Sequence, residues 1–537
     1  MLGPRAGALT FAAAVLLLLS GCAPSSSSPP GALATTTGGF VVITAGGTAL
    51  VDGQDDVPPT LDLRVVVPGG VSAQQVVAKL DGADLSLQRA QDALTATVAP
   101  MPLGSAHTLD LAVPDRDPQR IAFHVAPPAG GAAALHTDPA AGTVLDLAFQ
   151  FAPTDREAVE SALPGGATVS WPDATHLRAT WPTAPGGTLQ LPAGLATARG
   201  SHLAATLSLN LSAVAHGALR RSAIPVEAAA ATPKPLVVAF TAATAASRAS
   251  LAAHADRISV VSPTGVRVTA GGALSGAPDA TAVATATAAG VPVWPLIQND
   301  ASDSDGIAAI LADDSAVNRL VRDAVALGYP GVHLDIEGVP AGSRDRLTVL
   351  VQRLAAALHQ QGRQLAVAVV PHKPEHLNVY SAAYDLQAIS AAADLVTLMA
   401  YDEHTALSDA GPVAGLDWDE QILSGSLAEM RSRSTALLGL PLYSRAWQGG
   451  QVTADSYAAS IANALNAQGA RVDYDFAAAT PVVRGPDGGL LYFDDAQSLA
   501  AKQSLVGSRH LRGVALWRLG FEDPAMWGTL PTDPPRP

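Results

Sequence analysis

The chain has 537 residues, with 32 Lys plus Arg against 47 Asp plus Glu, a formal net charge of -15 and 48% hydrophobic residues. That length exceeds one ordinary domain, and an acidic balance without any basic run excludes nucleic-acid binding through phosphate contacts. One long apolar run exists, at the N-terminus, so the mean hydropathy of +0.24 reflects alanine rather than membrane spans. The single cysteine, Cys22, forbids an intrachain disulfide and any cysteine-built metal centre.

Residues 1–21 carry one early charge, Arg5, an apolar core through residues 11–19 and then Leu19-Ser20-Gly21-Cys22, the layout of a secretory signal. The tetrapeptide resembles the lipobox of bacterial lipoproteins. The resemblance implies lipidation of Cys22 and a place in the cell envelope, anchored on the outer face of the cytoplasmic membrane or otherwise exported. Each buried methylene of such an anchor contributes ~0.8 kcal/mol. Residues 22–38, with Ser25 to Ser28 and Pro29-Pro30, read as a flexible tether.

Next come two blocks of short strand-like runs separated by Gly, Pro and Asp turns, at 39–128 and 132–222. In the second, residues 143–151, 176–181 and 204–211 alternate as half-buried strands of a sandwich do. Its segments Thr137-Asp138-Pro139, Phe149-Gln150-Phe151 and Pro153-Thr154-Asp155 resemble bacterial Ig-like modules that space surface enzymes from their anchor. An Ala- and Pro-rich linker, 223–234, follows.

From residue 235 to 530 strands alternate with Ala-rich helical segments, the signature of a parallel sheet. Eight strands are predicted, at 236–240, 257–261, 291–297, 331–337, 364–370, 394–400, 436–443 and 513–519. Eight βα units predict a (β/α)8 TIM barrel. The long interval 448–512 predicts a small α+β insertion before the last strand, with residues 472–474 and 489–493 as a hairpin around Pro486-Asp487-Gly488-Gly489.

Such a barrel collects its chemistry at the C-terminal ends of the strands. Polar residues stand there: Asp335-Ile336-Glu337, Tyr401-Asp402, Tyr443 with Arg445, and Trp517. Side chains alternate along a strand, so His333, Asp335 and Glu337 share one face and Val332, Leu334 and Ile336 the other. The apolar face packs on helices. The acidic face then points inward, where burial and like charge raise a carboxyl pKa as a general acid requires.

The run 331–337 resembles the Asp-Gly-x-Asp-x-Asp-x-Glu signature of glycoside hydrolase family 18, the chitinase and endo-N-acetylglucosaminidase family. Met399-Ala400-Tyr401-Asp402 resembles its Met-x-Tyr-Asp motif, residues 439–447 its strand-seven pattern and residues 513–520 its tryptophan segment. The loop with Gly411-Pro412-Val413 and Trp418 is similar to the branch of spore-cortex and cell-wall lytic N-acetylglucosaminidases. The resemblance implies a retaining, substrate-assisted glycosidase cutting β-1,4 bonds beside N-acetylglucosamine, with peptidoglycan as substrate. It implies Glu337 as acid, Asp335 and Tyr401 around the acetamido group, and Asp402, Trp517, Arg445, Tyr443, Met399 and His333 as sugar contacts or their supports. Two signature acids are replaced, by Pro330 and His333, and the latter is expected to keep Asp335 ionised by hydrogen bonding or pairing.

The alternatives are a chitin or chito-oligosaccharide hydrolase and a non-catalytic glycan-binding barrel. No cofactor or metal is expected, and the expected partners are an N-acetylglucosamine-containing polysaccharide and the membrane, with the chain a monomer. His372 and His376 flank Pro374, which disfavours a zinc-binding helix. The stretch 299–306 lacks acids at the first and last positions of a calcium loop and reads as a capped loop before a helix.

Overall fold

The computed structural model describes residues 40–537, apart from 45–46, 69–70, 91–92, 103, 115–116, 127, 225–233 and 375–376. The signal and tether with Cys22, most of the linker, and His376 lie outside the described residues. Two units divide the described residues: one gathers residues 40–50, Asp62–Ala96 and Leu109–Ile121, the other Val51–Leu61, Thr97–Thr108 and Ala122–Pro537. In the first, Val41–Thr44 pairs antiparallel with residues 63–66, and Val77–Leu80 with Ala83–Leu85 and residues 109–112. Leu63 and Val65 are buried while Asp62 and Arg64 are exposed, as alternation predicts.

The second unit begins with a five-stranded antiparallel sheet in the order Thr168–Ser170, His176–Trp181, Gly142–Phe149, Gly131–Asp138, Leu219–Ala223, beside the pair Thr188–Leu191 and Leu207–Asn210. Odd-numbered residues Leu135, Leu145, Leu147 and Leu177 pack with Leu189, Leu191, Leu207 and Leu209 into one core. Of the strands expected to be half-buried, His176–Trp181 and Leu207–Asn210 alternate in that way, whereas Gly142–Phe149 is buried along almost its whole length, as is its partner Gly131–Asp138, which the sequence pattern does not mark. The physical reason is that the even-numbered face is covered too. Ala134 packs with Ile461, Leu465, Val472 and Phe493 of the insertion, and Ala132 and Ala148 join the main barrel core. The block is thus fused to the insertion, not merely tethered to it.

The barrel strands are β1 (Leu236–Thr241), β2 (Val260–Pro263), β3 (Leu296–Gln298), β4 (Gly331–Asp335), β5 (Gln364–Val369), β6 (Leu395–Leu398), β7 (Ala436–Pro441) and β8 (Gly513–Trp517). Neighbours pair in parallel from β3 through β7, then to β8, β1 and β2. The ring closes where Val261 N–H donates to Pro292 and Trp294 N–H donates to Val261. A hairpin, Val266–Val268 with Leu274–Gly276, branches off between β2 and β3.

The interior is filled by Leu236, Val238, Phe240, Val260, Trp294 and Leu296 with their neighbours, and the outer faces pack on helices. Asp314–Ala326 is typical of these helices: Asp313 caps it, and Val317, Leu320 and Ala324 lie on one buried stripe. Residues 299–306 form the expected cap, with the Asp303 carboxylate accepting from Gly306 N–H.

The insertion departs from prediction. Its sheet runs Gln451–Ser456, Tyr443–Gln448, Leu490–Tyr492, Thr480–Arg484, Arg471–Asp475. The turn at Pro486-Asp487-Gly488-Gly489 joins Thr480–Arg484 to Leu490–Tyr492, while residues 472–474 pair with residues 481–483. The missed strand, Thr480–Arg484, supplies the intervening register. Tyr443 also belongs to this sheet rather than to β7, which ends at Pro441.

Candidate active site

At the C-terminal end of β4 alternation works as predicted. Val332, Leu334 and Ile336 are buried in the outer core, and His333, Asp335 and Glu337 face inward. Regular pairing stops at Asp335, and side chains from neighbouring elements hold the next two residues. The Tyr384 hydroxyl donates to the Ile336 carbonyl over 2.9 Å. Glu337 N–H donates to Asn299 Oδ1 over 2.8 Å, and Asn299 Nδ2 donates to the Glu337 carbonyl over 2.8 Å. Gly338 follows at φ 66°, where a Cβ would lie 2.1 Å from the Ala301 carbonyl oxygen, so only glycine fits.

Asp335 is 5% exposed. Gln298 Nε2 donates to its Oδ2 over 2.8 Å, and its buried Oδ1 has no partner among the described residues. Burial pushes the Asp335 carboxyl up to about 6 against the pull of the Gln298 bond. Burial, together with the charges of Asp335 and Asp402, pushes Glu337 up to about 7. Burial and the same three carboxylates hold the Tyr401 hydroxyl far above its ordinary range, so it remains a donor at any working pH.

His333 corrects an expectation. It is fully buried, 4.8 Å from the Phe240 ring and 3.3 Å from Ser262 Oγ. Burial pushes its imidazole down to about 3, so it is neutral and cannot hold Asp335 ionised by charge pairing. Nor can a fully buried ring meet a sugar. Its place is a packing layer beneath the carboxylates.

After β6, two short backbone bonds, Ala400 N–H to Leu398 and Tyr401 N–H to Met399, turn the chain sharply. Asp402 takes a left-handed backbone, φ 65°. Its Oδ1 accepts from the Tyr443 hydroxyl and, over 2.7 Å, from Arg445 Nη2, whose other arm reaches the His404 carbonyl. Tyr443 packs edge-on to Tyr401 with ring centroids 6.4 Å apart. Arg445 and Tyr443 therefore fix Asp402 and the loop, and Met399 is buried behind them. Trp517 closes β8 edge-on to Phe240 at 5.2 Å and remains partly exposed.

Gln298, Asn299 and Tyr384 escaped the sequence reading of the site. Their partners lie on other strands, and amide and phenol side chains carry no motif of their own; only the place of Gln298-Asn299 at a strand's C-terminal end could have flagged them. His372 is fully buried, with its ring nitrogens 2.9 Å from Glu429 Oε1 and 3.0 Å from the Ser381 carbonyl. No cluster of metal-ligating side chains occurs among the described residues.

Residues 277–522 match the family model of Glycosyl hydrolases family 18. YdhD of Bacillus subtilis (strain 168), a sporulation-specific glycosylase by its name, is 31% identical over 40% of this chain and 53% of its own. The cortical fragment-lytic enzyme of the same organism is 27% identical over 42% of this chain and 55% of its own. This chain thus spans about half the length of these two relatives. Among solved structures, a chitinase from Chromobacterium violaceum ATCC 12472 is 29% identical with a TM-score of 0.51, covering 55% of this chain and 97% of that one. A spore cortex-lytic enzyme from Bacillus megaterium QM B1551, 21% identical with a TM-score of 0.50, shares the fold over 57% of this chain and 75% of its own. Asp335, Glu337, Tyr401 and Trp517 all fall inside the segment that matches the family model of Glycosyl hydrolases family 18.

Proposed function

We propose that this protein is a retaining, substrate-assisted glycosidase that cleaves β-1,4 bonds beside N-acetylglucosamine in peptidoglycan. One observation carries the reading: a buried acceptor and a permanent donor, Asp335 Oδ1 and the Tyr401 hydroxyl, share the site with a carboxyl poised to give a proton. An acetamido group is complementary to that pair, since its N–H donates to Asp335 and its carbonyl oxygen accepts from Tyr401.

Glu337 protonates the glycosidic oxygen as the bond to C1 breaks. The acetamido oxygen attacks C1 and forms an oxazolinium ion, whose positive charge the Asp335 carboxylate offsets. Water then adds to C1, and the Glu337 carboxylate takes its proton, restoring acid and acetamide. Trp517 offers an apolar face to the sugar ring. Asp402, fixed by Tyr443 and Arg445, contacts sugar hydroxyls.

Peptidoglycan is favoured by the likeness to the cortical fragment-lytic enzyme. Chito-oligosaccharides are the second reading, favoured by the likeness to the Chromobacterium chitinase. The sequence Leu19-Ser20-Gly21-Cys22 supports attachment to the envelope through Cys22. Cys22→Ser is expected to release the protein from the membrane fraction, and unchanged fractionation removes that part of the proposal.

The test uses the full chain carrying Cys22→Ser, incubated with purified peptidoglycan and with chito-oligosaccharides, beside the same chain with Glu337→Gln. New reducing ends at N-acetylglucosamine, seen by mass spectrometry and lost in the variant by at least ~100-fold, support the assignment. Cleavage that survives Glu337→Gln overturns it, and the polymer cut decides between the two substrates.

A further inference from the structure

The last residue of β3 and the one after it are carboxamides, and each engages one of the two acids. β3 and β4 run parallel with Gln298 opposite Asp335, so the Gln298 side chain reaches the carboxylate across one strand spacing. Asn299, itself 8% exposed, brackets the Glu337 backbone from both sides. Its orientation is dictated: a backbone N–H only donates and a carbonyl only accepts, so Oδ1 and Nδ2 cannot exchange. The remaining Nδ2 hydrogen reaches the Asp300 carbonyl over 3.1 Å. No hydrogen bond from another described side chain reaches the Glu337 carboxyl, so the aim of that side chain depends on its backbone. We propose that Gln298 and Asn299 are the positioning residues of this site, Gln298 fixing Asp335 with one oxygen left for substrate and Asn299 fixing the backbone that aims Glu337.

The proposal rests on the functional reading above and deepens it. A carboxamide differs from an acid in a way that matters here: it donates but takes no proton, so Asp335 has no partner beside it on β3 with which to share one. The titratable and charged groups around Asp335 are His333 and Glu337 on its own segment, Arg267 from the hairpin before β3, Tyr384 after β5, and Tyr401 with Asp402 after β6. Burial keeps His333 neutral and both tyrosines protonated. On the β4 segment the exchange of protons is thereby confined to Asp335 and Glu337.

Three variants of the full chain test this: Gln298→Met, which keeps the volume without the donor, Gln298→Glu and Asn299→Ala. Gln298→Met is expected to move the acid limb of the kcat profile up by about half to one pH unit with KM unchanged. Gln298→Glu, a donor only while protonated, is expected to approach the wild-type rate at the acid end and to lose it above. Asn299→Ala is expected to lower kcat ~100-fold with KM within about threefold. An unmoved acid limb in Gln298→Met, or a loss in Asn299→Ala confined to KM, overturns the proposal. A second readout needs no turnover: carbon-13 titration of aspartate carboxyls, with the Asp335 signal identified by its loss in Asp335→Asn. Its midpoint rises in Gln298→Met if the proposal holds and stays put if it fails. If the wild-type chain cleaves neither polymer, the functional reading falls and this titration alone decides the role of Gln298.

Discussion

Two carboxyls two residues apart, both pushed upward by burial, set the conditions under which this site works. The proposed mechanism needs Asp335 ionised and Glu337 protonated. With Asp335 near about 6 and Glu337 near about 7, activity falls below the first value as Asp335 gains a proton and above the second as Glu337 loses one. The two charges interact, so the limbs of the profile belong to the pair. A narrow bell in kcat/KM, centred between pH 6 and 7, is expected; a profile flat from about pH 5 to 9 contradicts the roles given to both acids.

The same shift has a cost in stability. A carboxyl whose folded pKa is raised costs nothing below its unfolded value, and stability falls as pH rises from there through the folded value. For Glu337 that window runs from 4.5 to about 7. Glu337→Gln removes the cost, so the inactive variant is expected to be more stable than wild type at pH 8, by on the order of 1–3 kcal/mol, and no more stable at pH 4. Calorimetry at the two pH values checks the sign.

At the scale of elements, the strands of the barrel act as spacers of fixed length, and close approach between them leaves room for only small residues. Gly439 on β7 shows this. A Cβ there would lie 2.5 Å from the Leu398 carbonyl oxygen of β6 and 3.0 Å from Tyr401 Cε1. Gly439→Ala is expected to cost about 1–3 kcal/mol through overpacking and to displace the Tyr401 ring, lowering kcat by at least ~10-fold. A variant with the stability loss but wild-type kcat would show that Tyr401 is not held through this contact.

Periodicity made most elements legible. Each βα unit has its own apolar run, and alternation puts Asp335 and Glu337 on one inward face. Elements whose signal is a partner rather than a pattern stayed hidden. Thr480–Arg484 is a five-residue strand defined by the two strands it joins, and Asn299 gains its meaning only beside Glu337. His333 misled because its type suggests charge, whereas its depth decides that it has none.

Across the whole second unit, the β-block of residues 132–222 and the insertion share buried polar contacts. The Asp146 carboxylate accepts from Arg178 and from Val472 N–H, and Arg178 also reaches the Ala470 carbonyl. Asp138 accepts from Gly469 N–H over 3.1 Å. His176 bridges Asp173 and Asp473, and Arg471 and Arg484 complete the cluster around Asp473. Groups buried in this way lose heavily when one partner leaves, and the apolar patch around Ile461, Leu465 and Val472 would meet water if the block were removed.

Residues 132–222 and the barrel are therefore expected to share one calorimetric transition of the full chain, and melting of residues 132–222 in a transition resolved from that of the barrel would refute the fusion. The junction also has a pH signature. Burial alone would lower the His176 imidazole, but its bonds to Asp473 and Asp173 outweigh burial and raise it. A histidine so raised stabilises fully below its unfolded pKa, about 6.5, and the contribution is lost as pH climbs through the folded value. His176→Ala should lower the shared transition clearly at about pH 5.5 and much less at about pH 9. An equal drop at both would assign the loss to packing and leave the charge of His176 without a role in holding the junction.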